Sequence, residues 1–197
     1  MFGDNRGQAF TLEGFIGSML ILTAVLFALQ SIIITPTTSG TVDRDVQAGI
    51  EREAEDILAQ EANNGTLKHQ VLNMSDGVYG DSAATGYAPG DPPGGFGETL
   101  NATFVQRGRV YNVIVEFRDV DDADTNAGVD GRTRSMVYRG VPADSSVVAT
   151  RTVTIYDDDI VPGTGDTVEE SDDFPVGDTA PDSPVYTVAE VRIVVWG

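Results

Sequence analysis

The sequence predicts an α+β protein. A long N-terminal transmembrane helix, kinked near Pro36, is expected to continue as an amphipathic helix that packs on a mostly antiparallel β-sheet. Three observations lead to this prediction. Residues 14–34 are strongly apolar and contain no charged residue. Residues 41–62 place apolar residues at spacings of three and four, and residues 99–196 contain segments in which apolar and polar residues alternate.

The apolar segment is long enough to cross a membrane. About twenty residues at a rise of 1.5 Å per residue span roughly 30 Å, the thickness of a hydrocarbon core. Pro36 follows the segment, and proline lacks the amide hydrogen that a continuing helix needs. The chain is thus predicted to comprise a leader (residues 1–13), a transmembrane helix (residues 14–34) and an acidic extracellular domain (residues 35–197).

Residues 41–62 predict an amphipathic helix with an acidic outer side. Thr41 is a suitable N-terminal cap, and the Asn63–Gly65 segment favours the left-handed backbone that ends helices. A further helical turn is expected between Leu67 and Leu72. The apolar side of the main helix is formed by Val42, Val46, Ile50, Ala54, Ile57 and Leu58.

The β-sheet is predicted from residues 99–196, where β-branched and aromatic residues are broken by Asp, Gly and Pro. No helical pattern separates the strands, so the sheet should be mostly antiparallel. Gln106–Gly108 predicts a tight hairpin connection between the first two strands, and residues 160–184 an acidic loop before the last. The five predicted strands are Thr99–Val105, Arg109–Phe117, Thr133–Arg139, Val147–Tyr156 and Val185–Trp196.

Residues 76–97 are rich in glycine and proline and predict a long surface loop. Three aromatic residues lie within it, Tyr79, Tyr87 and Phe96. They either form a contact patch for a partner or pin the loop to the sheet.

The charge of the chain restricts its partners. Asp and Glu number 31 against 12 Lys and Arg, which gives a formal net charge of -19. Such a chain repels nucleic acid and anionic lipid headgroups. The acids are spread along the polar part of the chain, which resembles proteins of halophilic archaea. At molar salt the Debye length is about 3 Å, so repulsion between surface carboxylates is screened. There is no cysteine, which excludes disulfides and thiolate chemistry.

The residues before the apolar segment carry a resemblance. Arg6-Gly7-Gln8 is followed by Ala9 and then by Phe-Thr-Leu-Glu, which ends at Glu13. This start resembles type IV prepilins and a group of haloarchaeal proteins with a Gly-Gln-Ala-aromatic-Thr-Leu-Glu-Gly start. The resemblance implies that a prepilin peptidase cuts after Gly7 and leaves the apolar helix on the mature protein. It further implies that Glu13 pairs with the new N-terminal amine and that the helix packs against other pilin-like subunits or copies of itself.

Two interpretations of the chain therefore stay open. One is a pilin-like surface protein, a minor or accessory subunit of a cell-surface pilus. The other is a single-pass membrane-anchored ectodomain that binds an external partner without polymerising.

Three Asn-x-Ser/Thr sequons follow the apolar segment, with acceptors Asn64, Asn73 and Asn101. Such sequons are N-glycosylation acceptors when they lie on the surface of an exported domain. They favour a glycoprotein whose domain lies outside the cell.

Other chemical sites are weakly indicated. Asp122, Asp124 and Asn126 alternate as at the start of a calcium-binding loop, and Asp130 follows, although a solvated turn between strands explains the same pattern. His69 is the only histidine, so histidine-based triads and multi-histidine metal sites lack their residues. The sequence predicts neither an enzyme nor a cofactor.

Overall fold

The computed structural model describes residues 5–30, 37–118, 133–171, 174 and 176–197. The chain divides into two compact units, and the boundary lies between Val42 and Asp43. The expected kink near Pro36 lies outside the described residues.

The described part of the chain contains four α-helices, one 3₁₀ turn and four strands, in an α+β arrangement. The helices are α1 (Asn5–Gln30), α2 (Thr37–Asn63), α3 (Thr66–Leu72) and α4 (Gly95–Thr103), and the 3₁₀ turn is Val105–Arg107. The strands are β1 (Val110–Phe117), β2 (Thr133–Val137), β3 (Val147–Tyr156) and β4 (Val185–Trp196).

The strands form one antiparallel sheet with the order β2-β1-β4-β3. Ile193 of β4 lies between Val113 of β1 and Ala149 of β3, and all three are buried. Side chains of a strand alternate between the two faces of the sheet, so the alternating sequence buries one face of β1, β3 and β4. The prediction of an antiparallel sheet is confirmed.

The core lies between this buried face and the helices of the second unit. Ala54, Ile57 and Leu58 of α2 belong to the same cluster of buried residues as the inner side chains of the sheet. Leu67 of α3 and Leu100 of α4 are fully buried in that cluster. The amphipathic pattern of residues 41–62 thus predicted the buried side of α2 at Ala54, Ile57 and Leu58, but it was wrong at Val46, which is 50% exposed. The short helix at Leu67–Leu72 is also confirmed.

The start of α2 differs from the prediction, whereas its end agrees with it. The helix predicted over residues 41–62 begins at Thr37, so Thr41 lies inside α2 and is not its cap. Its end is as predicted, because Gly65 has a φ of 77°, a left-handed value that glycine adopts without a steric penalty.

The predicted strand Thr99–Val105 is wrong. These residues lie in α4 and in the turn after it, and Gln106–Gly108 leads from that turn into β1 instead of closing a hairpin. The physical reason is the spacing of the large apolar residues. Phe96, Leu100 and Phe104 recur every four residues and are all 0% exposed, so one side of a helix buries all three.

The aromatic residues of the predicted loop at residues 76–97 pin it to the domain. Tyr79 and Phe96 are buried in the core cluster, and Tyr87 packs against it. The Tyr79 hydroxyl donates a hydrogen bond to the carbonyl oxygen of Val71 at 2.8 Å. The Tyr87 amide donates to the carbonyl of Met136 in β2 at 2.9 Å, so this segment also covers part of that edge of the sheet.

Two glycines of α4 provide a matched test of its packing. A Cβ added at Gly97 would lie 1.8 Å from the carbonyl oxygen of Pro92, whereas one added at Gly95 meets no atom within 4 Å. We expect Gly97→Ala to lower the free energy of unfolding by about 2–3 kcal/mol through overpacking. Gly95→Ala should leave it unchanged or raise it by about 0.5–1 kcal/mol, since alanine favours helix.

The measurement is chemical denaturation of the detergent-solubilised protein, followed by the fluorescence of Trp196, the only tryptophan. Equal effects of the two substitutions would contradict the close approach of Gly97 to Pro92.

Candidate functional site

Helix α1 has the properties of a membrane-spanning segment. Residues 10–27 have a mean hydropathy of 1.9, and none of this window is buried within the chain. Among the described residues it is the one helix long and apolar enough to cross a membrane. Its large side chains are exposed all around the helix, from Phe10 (73% exposed) to Phe27 (75%). A helix that is apolar on every side needs lipid or other helices around it.

The hydroxyl groups of Ser18 and Thr23 are satisfied within α1 itself. The Ser18 hydroxyl donates to the carbonyl of Phe15 at 2.9 Å, and the Thr23 hydroxyl donates to the carbonyl of Met19 at 2.7 Å. An unsatisfied donor in hydrocarbon costs several kcal/mol, and these bonds avoid that cost. Both hydroxyl groups are therefore compatible with a lipid environment.

The predicted processing residues and Glu13 lie near the start of this helix. The backbone of Arg6, Gly7 and Gln8 belongs to α1, while the side chains of Arg6 and Gln8 lie outside the described part of the chain. Glu13 is exposed and is the only charged residue between Phe10 and Phe27. In a membrane, a carboxylate next to hydrocarbon is costly unless a partner or the headgroup region accommodates it.

The three sequon asparagines occupy different environments. Asn64 is exposed in the turn between α2 and α3. Asn73 is half-buried at the end of α3, and its side-chain nitrogen donates to the Tyr87 hydroxyl at 3.1 Å. Asn101 lies inside α4, where its side-chain nitrogen donates to Oδ2 of Asp91 at 2.8 Å.

The candidate calcium ligands Asp122, Asp124, Asn126 and Asp130 lie outside the described residues. Within the ranges that are described, no group of three or more His, Asp or Glu side chains is arranged to hold a metal ion. His69 is exposed on α3, as expected of a solvated helical turn.

A polar cluster that the sequence did not predict links three segments of the domain. Asp91 accepts hydrogen bonds from the Tyr111 hydroxyl, from Nη2 of Arg139 and from Nδ2 of Asn101. The Arg139 guanidinium also lies over the ring of Tyr111, 4.5 Å from its centroid. We call Asp91, Asn101, Tyr111 and Arg139 the Asp91 cluster.

A buried asparagine positions the arginine of this cluster. Oδ1 of Asn112 accepts a hydrogen bond from the Arg139 amide at 2.8 Å, and its Nδ2 donates to the carbonyl of Gly140 at 2.9 Å. Nε of Arg139 is buried without a hydrogen-bond partner among the described residues. The Asp91 cluster joins the loop before α4 to β1 and to the segment after β2, so its role is structural.

A second ion pair fixes the connection between β3 and β4. The ammonium of Lys68, the only lysine, lies 2.8 Å from Oδ2 of Asp159 and 4.6 Å from the centroid of the Tyr156 ring. Oδ2 of Asp159 also accepts a hydrogen bond from the Tyr156 amide at 2.8 Å. These contacts attach the start of the acidic loop to α3.

Burial raises the pKa of the Tyr111 phenol well above its usual value, and the hydrogen bond to the Asp91 carboxylate raises it further. Below about pH 10 the phenol is protonated in both the folded and unfolded states. Above that pH the unfolded chain loses this proton while the folded chain keeps it, so the free energy of unfolding falls. The expected slope is about 1.4 kcal/mol per pH unit for each such tyrosine.

Denaturation measured between pH 8 and pH 12 tests this prediction. The Tyr111→Phe variant should lose stability above pH 10 less steeply than the parent, by about 1.4 kcal/mol per pH unit. Parallel curves for the two proteins would contradict it, whatever their difference at pH 8.

A family model described as a family of unknown function (DUF7288) matches residues 6–195. No curated protein and no solved structure matches the chain. The matched region includes the apolar helix and nearly all of the domain that follows it.

Proposed function

The chain belongs to the family of unknown function DUF7288. From its own residues we propose that it is a type IV pilin-like surface protein. It is a minor or accessory subunit of a cell-surface filament. The transmembrane helix holds it in the membrane before assembly, and its acidic domain lies outside the cell.

The observation that carries this proposal is the exposed apolar surface of α1. The window from Phe10 to Phe27 buries nothing within the chain. A water-soluble protein does not leave so large an apolar surface uncovered. Lipid covers it in the membrane, and neighbouring helices cover it in a filament.

The start of the chain supports the filament. Arg6, Gly7 and Gln8 match the processing region of prepilins, with Gly7 before the cut and Gln8 after it. Glu13 then lies near the new N-terminal amine, which neutralises a carboxylate that would otherwise be costly next to hydrocarbon. The partners are the membrane, a prepilin peptidase and other pilin-like subunits.

The composition supports an external, salt-rich environment. A net charge of -19 on a chain without cysteine fits a domain that folds by core packing in concentrated salt. The proposal includes no cofactor, catalytic residue or nucleic-acid partner.

A second candidate is a single-pass anchored ectodomain that binds an external partner and never polymerises. It is favoured by the closed core of residues 43–197, which is built from the domain's own helices and sheet. Such a domain needs no neighbouring subunit to bury its apolar residues.

The N-terminal residue of protein recovered from native membranes separates these candidates. Mass spectrometry should find Gln8 at the start of the mature chain. Gly7→Val should block this cleavage, and Gly3→Val, the matched control, should leave it unchanged. An intact Met1 in the parent protein would favour the anchored ectodomain. A start beyond Phe27 would mean a removed signal sequence and would overturn both candidates.

A further inference from the structure

An open cavity of about 570 Å³ lies between α3 and the Pro93–Gly94 segment. Asn64 and Thr66, two residues of the first sequon, line it together with Gln70 and Pro93. None of its lining residues is Asp, Glu, Lys or Arg, although the chain carries 31 acids. The cavity therefore suits a neutral ligand.

The wall of this cavity contains an incompletely bonded amide. Gln70 is 3% exposed, and its Nε2 donates to the carbonyl oxygen of Pro93 at 2.7 Å. Its Oε1 is buried and accepts no hydrogen bond from the described part of the chain. A buried acceptor without a donor is destabilising. Because Gln70 lines the cavity, a rotation of its amide that turned Oε1 toward the cavity would let a ligand hydroxyl donate to it.

The three sequons differ in whether the side-chain nitrogen is available for modification. The amide nitrogens of Asn73 and Asn101 already donate hydrogen bonds, to Tyr87 and Asp91 respectively. Asn101 also lies inside a helix, where residues i and i+2 do not face each other, so its sequon threonine points away from it. Asn64 is exposed in a turn, and its side chain makes no hydrogen bond within the described ranges.

We propose that Asn64 is the glycosylated residue of this domain and that the first sugars of its glycan lie in the adjacent cavity. A neutral sugar offers hydroxyl donors for Gln70 and an apolar C–H face for the ring of Pro93. Asn64 itself lines the cavity, so the effective concentration of an attached sugar there is high. This inference shares with the proposed function only the location of the domain outside the cell.

Glycopeptide mass spectrometry of protein from native membranes tests the attachment site. Trypsin separates the sequons, because Asn64 lies in the peptide Glu53–Lys68 while Asn73 and Asn101 lie in His69–Arg107. We expect a sugar mass on the first peptide, none on the second, and loss of the mass in the Thr66→Val variant. A bare first peptide, or sugar on the second alone, would overturn the proposal. Sugar on both peptides would overturn the claim that Asn64 is the glycosylated residue in preference to Asn73 and Asn101.

The position of the sugar is tested by combining two substitutions. Asn64→Gln removes the glycan and should lower the melting temperature by about 2–4 °C, equivalent to about 1 kcal/mol in a domain of this size. In a Gln70→Leu background the same change should lower it by much less, because the bond to Gln70 is already lost. Gln106→Leu, an exposed residue elsewhere, serves as the control background and should preserve the full shift.

Equal shifts in all three backgrounds would show that the sugar does not occupy the cavity. These results are independent of the N-terminal residue. A glycan at Asn64 on a chain that begins with Met1 would reject the pilin and keep this inference, and an unmodified chain that begins with Gln8 would do the reverse.

Discussion

Replacing Asp91 with alanine is expected to lower the free energy of unfolding by about 2–4 kcal/mol, among the largest effects of any single polar substitution in the domain. Asp91 is 25% exposed and accepts hydrogen bonds from Tyr111, Arg139 and Asn101. Its removal leaves the Arg139 guanidinium, 18% exposed, without its carboxylate. An uncompensated, largely buried charge costs more than the ion pair itself contributes.

Two further substitutions separate charge from packing. Asp91→Asn keeps the size of the side chain and one acceptor oxygen, so it should cost less than alanine but still weaken the pairing with Arg139. Asp182→Ala removes an exposed aspartate and should change stability by less than about 0.5 kcal/mol. The free energies come from denaturant titrations of the three variants. A loss for Asp91→Ala as small as that for Asp182→Ala would show that the Asp91 cluster does not hold the three segments together.

Elements governed by a local pattern were predicted well. The bounds of β3 and β4 agree with the prediction at every residue, and β1 and β2 differ only by one or two residues at an end. In these strands the alternation of the sequence and the burial of one face favour the same register. The helix over residues 41–62 was predicted for a similar reason, since its apolar spacing matches the buried residues Ala54, Ile57 and Leu58 of α2.

The error at Thr99–Val105 shows where local patterns compete. Thr99, Thr103 and Val105 are β-branched and favour a strand. The spacing of Phe96, Leu100 and Phe104 favours a helix, and burial of all three decides the outcome. The deciding contacts come from the rest of the core, so residue type alone favoured the wrong element.

The features of the candidate site also differ in whether the sequence alone could predict them. The apolar helix was predicted because a run of about twenty uncharged, mostly apolar residues is a local signal. The Asp91 cluster was not, because Tyr111 lies 20 residues from Asp91 and Arg139 lies 48 residues away. The cavity beside Asn64 likewise joins α3 to a segment more than twenty residues later in the chain. Neither the Asp91 cluster nor the cavity has a characteristic residue spacing in the sequence, because both form only when distant segments meet in the folded domain.

The second large effect concerns the membrane. Replacing both Met19 and Leu22 with arginine is expected to release the chain from membranes. Each arginine near the centre of a transmembrane helix costs about 2.5–3.5 kcal/mol, so two cost on the order of 5–7 kcal/mol. Both side chains are 62% exposed on α1, and no described residue of the chain offers them a carboxylate partner within the apolar window other than Glu13. Alkaline carbonate extraction followed by immunoblotting measures the fraction that stays in the membrane.

Two controls make this result specific to the apolar helix. Met19→Ala with Leu22→Ala shortens the same side chains without adding charge, and this variant should stay in the membrane fraction. Val141→Arg with Val148→Arg adds the same charge to exposed positions of the domain, 81% and 43% exposed, and should also stay. If the Met19/Leu22 arginine variant resisted extraction as well as these controls, α1 would not be a membrane span. The exposed apolar surface of α1 would then have to be covered by protein alone. Both candidate functions would be contradicted, because each requires α1 to anchor the chain in the membrane.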